Sequence, residues 1–140
     1  VDPKKSASES VILEGKIEDE MIIFLILRGS RSNIIKVSNF KEQSRIFERA
    51  LDSILQDSIF QAISTNGMAV AAATEDDEAV RICNKLISKG AIAAGISGSG
   101  PSISVVSFIQ DSETIRKALY NSGHEIIETN FIEDNSSELI

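Results

Sequence analysis

The sequence is poor in the residues that carry many protein chemistries. It has one cysteine, Cys83, one histidine, His124, one tyrosine, no tryptophan and two prolines in 140 residues. A single cysteine excludes an internal disulfide framework and a cysteine-based metal centre. No His-rich ligand spacing and no Ser-His-Asp or Cys-His arrangement stands out, which sets hydrolase and zinc chemistry aside. No apolar run approaches the ~20 residues that span a bilayer; the longest, Met21 to Leu27, has the length of a buried strand. The opening Val1-Asp2-Pro3-Lys4-Lys5 has neither the apolar core of a signal peptide nor the Arg-rich pattern of a transit peptide, so a cytoplasmic setting is expected. Basic charge is also short, with 14 Lys and Arg against 21 Asp and Glu and a net charge of −7. That balance argues against sequence-independent nucleic-acid binding, which draws on Lys and Arg meeting phosphates. Arg28, Arg31, Lys36, Lys41, Arg45 and Arg49 do gather in one stretch, but Glu42 and Glu48 interrupt them. They read first as a solvated face, with a partner or anion surface as the alternative.

What remains is ordinary for one soluble domain: 42% hydrophobic and 25% charged residues, enough to bury a core. Residues 1–10 are polar and read as a flexible junction, 11–133 as the domain, and 134–140 as a polar tail. Val11, Leu13 and Ile17 alternate with polar residues as in a half-buried strand. The run 21–27 suits a strand at the centre of a sheet, and Ile34, Ile35 and Val37 suggest a short one. Asn39 and Glu42 have capping-box spacing, followed by the amphipathic stripe Phe47, Ala50, Leu51, Ile54 and Leu55. A second helix is expected over 58–73 and contains Asn66-Gly67. A third is expected to be capped by Thr74, to carry Glu75, Asp76, Asp77 and Glu78 where a helix dipole favours carboxylates, and to stop at Gly90. Those carboxylates read as dipole partners rather than metal ligands, and Cys83 as core rather than nucleophile. Strands near 91–96, 102–109 and 124–132, with a helix from Asp111 or Ser112 through Tyr120, complete the order. From residue 21 this is a split βαβ, ferredoxin-like α+β sandwich with extra helices in the first crossover.

One segment carries chemistry: Gly95-Ile96-Ser97-Gly98-Ser99-Gly100-Pro101-Ser102. Glycine permits close backbone approach, and successive exposed N–H groups form a concavity for an anion. Serine hydroxyls add donors, and Pro101 stiffens the turn without adding one. The pattern is not G-x-G-x-x-G, because Ile103 stands at the third glycine position. Nor is it a P-loop, because the only Gly-Lys pair, Gly15-Lys16, precedes Ile17. On these residues alone, a tight strand-to-strand connection and an anion-holding loop both stand.

The stretch GAIAAGISGSGPSISVV (90–106) resembles the third conserved motif of the GHMP kinases, a glycine-rich loop of their C-terminal domain. With SIFQAISTNGMAVAAAT (58–74) upstream, it resembles most the archaeal-type shikimate kinases. Two departures stand out. Ser99 replaces a threonine of that group, and the family's ATP-phosphate motif and catalytic carboxylate have no counterpart here; in an intact enzyme both would precede Val1.

The resemblance implies transfer of the γ-phosphoryl of ATP, with Mg2+, to a hydroxyl of shikimate. The N-terminal kinase domain would be the partner that grips ATP. Gly98, Ser99 and Gly100 would offer backbone N–H groups, and Ser99 its hydroxyl, to substrate or phosphate loop. Ser97 and Ser102 come second, and Asn66 would reach the acceptor or buttress the loop. An equal reading makes Asn66 a plain polar neighbour of a packing glycine. No catalytic residue and no metal ligand is expected in this chain, and no nucleic-acid or membrane partner. An apolar surface left for the N-terminal half would permit a homodimer. Homoserine kinase, with a similar third motif, is the nearest alternative. A non-catalytic ferredoxin-like ligand-binding module is the alternative of another class.

Overall fold

The computed structural model describes residues 20–29, 36–56, 58–98 and 100–131. The strand expected at Val11–Ile17, most of the one at Ile34–Val37, Ser99 and the polar tail lie outside the described residues.

The apolar run forms β1 (Met21–Leu27), and its place at the sheet's centre explains why both faces are apolar. It pairs antiparallel with β3 (Ile103–Phe108), Phe24 opposite Val105, and with β4 (Glu125–Thr129), Phe24 opposite Glu128. β2 (Ala93–Ile96) pairs antiparallel with the far side of β3. The sheet order is β2-β3-β1-β4, the order of a split βαβ sandwich.

Five α-helices surround the sheet among the described residues: α1 (Val37–Glu42), α2 (Ser44–Leu55), α3 (Ile59–Ala73), α4 (Asp77–Ser88) and α5 (Ser112–Tyr120). The main core joins Phe24, Ile26, Ile103 and Val105 from the sheet to Leu86 of α4 and Ile115 and Leu119 of α5. Each such side chain stabilises the fold by about 1.5–3 kcal/mol. On the other face Met21, Ala93 and Val106 form a smaller cluster with Phe60 and Ile63 of α3 and with Phe131.

α3 therefore touches both faces. Its first half, through Phe60 and Ile63, joins the smaller cluster, and its second half, through Val70 and Ala71, joins the main core. To do so it crosses the edge strand β2 with backbone against backbone. A Cβ on Gly67 would lie 2.3 Å from the Gly95 Cα, and one on Gly95 would lie 2.7 Å from the Ile63 carbonyl oxygen. Nearby, the Ser64 hydroxyl accepts a hydrogen bond from the outward Ala94 N–H (3.2 Å), which satisfies the open edge.

Three local expectations are corrected. Val37 opens α1 instead of ending a strand. Asn39 is not a cap: α1 begins two residues earlier, after Lys36, which makes no side-chain capping bond. The chain then bends at Gln43, across which Phe40 and Phe47 stack with centroids 6.2 Å apart. Thr74 does not cap α4; it closes α3, with its hydroxyl on Val70 O at 2.7 Å. Glu75 then takes a left-handed φ of 56°, and the Asp76 N–H reaches back to Ala71 O (2.8 Å). This is a Schellman turn with glutamate where glycine is usual, and it delays α4 until Asp76 can cap it. Gly90 ends α4 as expected, with Ala91 N–H on Leu86 O and Gly90 N–H on Ile87 O, both at 3.0 Å.

Replacing Gly67 by alanine forces α3 off β2, because the clash is with backbone and no side chain can yield. We expect Gly67→Ala to lower stability by about 3 kcal/mol, read from the midpoint of urea unfolding. The exposed Gly90→Ala, with nothing within 4 Å, is expected to cost about 1 kcal/mol from its φ alone.

Candidate functional site

The glycine-rich segment is the connection between β2 and β3. The Ser97 N–H donates to Ser102 O at 2.8 Å, adding a rung beyond the Ile96–Ile103 pair, so 98–101 is the loop proper. Inside it the Gly100 N–H donates to Ser97 O at 3.0 Å. Gly98 and Gly100 both take positive φ, 62° and 87°, and the Gly100–Pro101 peptide is cis. Ser97 and Gly98 are exposed, and Gly100, Pro101 and Ser102 are half-buried.

The structure thus brings Ser97, Gly98, Gly100 and Ser102 into one small loop, with Ser99 outside the described residues. The N–H groups are not all alike. Those of Ser97 and Gly100 are spent within the loop, so the exposed Gly98 and Ser97 form its open rim. Asn66 lies elsewhere on α3. It lines a groove of about 380 Å³ between α2 and α3 with Phe47, Leu51, Ile54, Ile59 and Ile63. Its neighbour Gly67 is the residue that meets the strand leading into the loop.

Arg28 corrects a reading from the sequence. Just beyond the end of β1, it does not belong to a solvated basic face: its side chain is 8% exposed. The guanidinium forks, with Nε–H donating to Pro101 O at 2.7 Å and both terminal nitrogens donating to the Asp76 carboxylate. Asp76 Oδ1 also accepts the Ala79 N–H at 3.1 Å, which caps α4. Glu78 stands 3.8 Å from Arg28 and 3.7 Å from His124. Removing one partner of a buried ion pair strands the other, at a cost of about 3–5 kcal/mol. The sequence signal was present but local: a charged residue one step past a central strand has little room to be solvated.

Cys83 packs against the main core from α4, as its place in the apolar stripe implied. Burial pushes its thiol from the ordinary 9.0 up to about 11, against a smaller downward pull from Arg28. Among the described residues no group of His, Cys, Asp and Glu is arranged to hold a metal ion, and no helix is long and apolar enough to cross a membrane.

A family model described as GHMP kinases C terminal matches residues 47–125, an interval that runs from α2 into the start of β4 and includes the loop. The chain belongs to the GHMP kinase C-terminal family. Solved structures agree on the fold. A phosphotransferase related to the CoA biosynthesis pathway superposes with a TM-score of 0.64 at 14% identity, over 83% of this chain and 39% of that one. Mevalonate kinase from methicillin-resistant Staphylococcus aureus gives 0.53 at 18%, over 81% and 42%. A protein assigned as a homoserine kinase in Listeria monocytogenes gives 0.51 at 16%, over 86% and 47%. The chain therefore spans less than half the length of each of these proteins.

The thiol gives a pH test of the packing. Because its folded pKa is raised, its contribution to stability is full below about 9 and is lost as pH rises through about 11. Urea midpoints are expected to fall across that window in the native chain and to fall less in Cys83→Ala. At about pH 8, maleimide is expected to label Cys83 at least tenfold more slowly than a free thiol.

Proposed function

We propose that the chain is the C-terminal part of an ATP-dependent small-molecule kinase whose acceptor is a hydroxyl of shikimate. The observation that carries the kinase reading is the loop itself. In a chain of the GHMP kinase C-terminal family, a short glycine turn leaves an exposed backbone rim at Gly98, on a strand fixed against α3. Phosphoryl transfer depends mainly on positioning and on stabilising charge at the phosphoryl oxygens. A rigid rim of N–H and hydroxyl donors suits that task. The donor set favours an anion over a cation, so this part of the protein would face substrate or phosphate, and the grip on ATP and Mg2+ would belong to an N-terminal kinase domain.

Support for shikimate over other acceptors comes from the paired segments 58–74 and 90–106, whose order and spacing resemble the archaeal-type shikimate kinases. Asn66 contributes to that likeness as a sequence feature, and its seat in the α2–α3 groove makes it a buttress of α3 more readily than a loop ligand.

A coupled assay on the gene-encoded polypeptide that carries this chain decides between acceptors. With MgATP, turnover of shikimate but not homoserine is expected; turnover of homoserine alone would overturn the substrate reading. Transfer to neither, with ligand binding retained, would favour the non-catalytic module. Residues 1–140 alone are expected to show no micromolar MgATP binding by titration calorimetry.

A further inference from the structure

The geometry points to Arg28 as a positioning residue for the glycine loop, fixing the loop's exit to the N-terminus of α4 through the Pro101 carbonyl. Its effect on catalysis rests on the kinase reading above; its effect on the loop does not.

The first question is whether Arg28 meets a phosphate directly. Its side chain is 8% exposed, and each of its three nitrogens already donates, Nε to Pro101 O and the terminal pair to the two oxygens of Asp76. Its charge is matched by that carboxylate, with Glu78 a further 3.8 Å away. A guanidinium so placed has little left to offer a ligand. It acts through the backbone it holds.

What it holds is the part of the loop that has fewest restraints of its own. Pro101 has no N–H, so its only backbone hydrogen-bonding group is the carbonyl that Arg28 takes. The preceding residues are tied among themselves, by Ser97 N–H to Ser102 O and Gly100 N–H to Ser97 O. Those two bonds shape the turn, but both ends of each lie inside 97–102, so neither sets where the turn sits on the domain. The Arg28–Pro101 bond, spanning 73 residues in sequence, does.

The other end of the fork is equally specific. Asp76 receives the two terminal nitrogens and also the Ala79 N–H that begins α4. The end of β1, the loop and the start of α4 are therefore joined through one planar group. A lysine at this position keeps the charge but is a single point on a flexible stem. It does not present donors to a carbonyl and a carboxylate at a fixed angle. The requirement is for guanidinium geometry, which separates a positioning role from simple charge balance.

Amide hydrogen exchange on the 140-residue chain tests this, with Arg28→Lys against the native protein. The expected result is exchange at least tenfold faster at Ser97 and Gly100. At Thr74, whose N–H is held by Val70 O at the end of α3, the change is expected to stay under threefold. Unchanged rates at the loop, or one uniform acceleration at all three amides, would overturn the proposal. Should Arg28→Lys not fold, Asp76→Asn, which keeps the side-chain shape while removing the charge, is expected to give the same selective pattern and is judged by the same outcomes. In the gene-encoded polypeptide that carries this chain, Arg28→Lys is expected to lower kcat at least tenfold with the KM for ATP changed less than threefold. Selective loop exchange with kcat unchanged would refute the catalytic consequence and leave the kinase reading standing. Native polypeptide that transfers phosphate to no acceptor would refute the kinase reading, while the exchange result still decides the role of Arg28 in the loop.

Discussion

Two backbones in contact, Gly67 of α3 and Gly95 of β2, set the arrangement of everything near the candidate site. A helix is normally held off a sheet by the side chains that fill the gap between them. Here α3 passes over an edge strand, from the smaller apolar cluster to the main core, and the crossing point has no room for even one methyl group on either side. Because the crossing is this close, the Ser64 hydroxyl reaches the outward N–H of Ala94, and the exposed edge of β2 is covered instead of left open to another strand. The loop proper begins three residues after Gly95, at Gly98. Its seat is therefore an extension of the helix–strand contact, and the same contact explains why a glycine follows Asn66 in mid-helix, where it otherwise weakens the helix by about 1 kcal/mol relative to alanine.

A second constraint acts from the opposite side of the loop. The Arg28 guanidinium links the loop exit to the Asp76 carboxylate that starts α4. Burying this charge is tolerable because the partner is bidentate and the remaining Nε–H also finds an acceptor. The loop is thus held at its entrance by packing and at its exit by an ion pair, while Gly98 remains exposed with open space around it. A backbone turn fixed at both ends and bare at its rim is suited to orienting a group that arrives from elsewhere.

The broad fold was legible because it rests on patterns that need no tertiary knowledge. Met21–Leu27 is apolar on both faces and lies at the sheet's centre. The stripe on α4 buries Ala79 and Leu86 and stops at Gly90. What failed were starts of helices. Asn39 and Thr74 have the chemistry of caps, but the first lies inside α1, which already starts at Val37 after Lys36. The second was pre-empted by Glu75 adopting a left-handed turn that moved the cap to Asp76. The loop's composition was plain in the sequence, yet which of its N–H groups stay free was not, since that depends on turn bonds such as Gly100 to Ser97. Arg28 was lost for another reason. The residues that follow it in sequence are polar or basic, whereas its partners Asp76 and Pro101 lie 48 and 73 residues away.

On the proposed reading, the bare rim of this loop approaches the reacting phosphoryl group or its acceptor. Gly98 tests it most directly, because a Cβ there meets nothing within 4 Å among the described residues and adds only the cost of its left-handed φ, about 1 kcal/mol. Phosphoryl transfer from ATP should be measured in the gene-encoded polypeptide that carries this chain, native against Gly98→Ala, with urea unfolding as the control. A loss of at least tenfold in kcat is expected, with stability lowered by no more than about 1 kcal/mol. Full turnover in Gly98→Ala would contradict it.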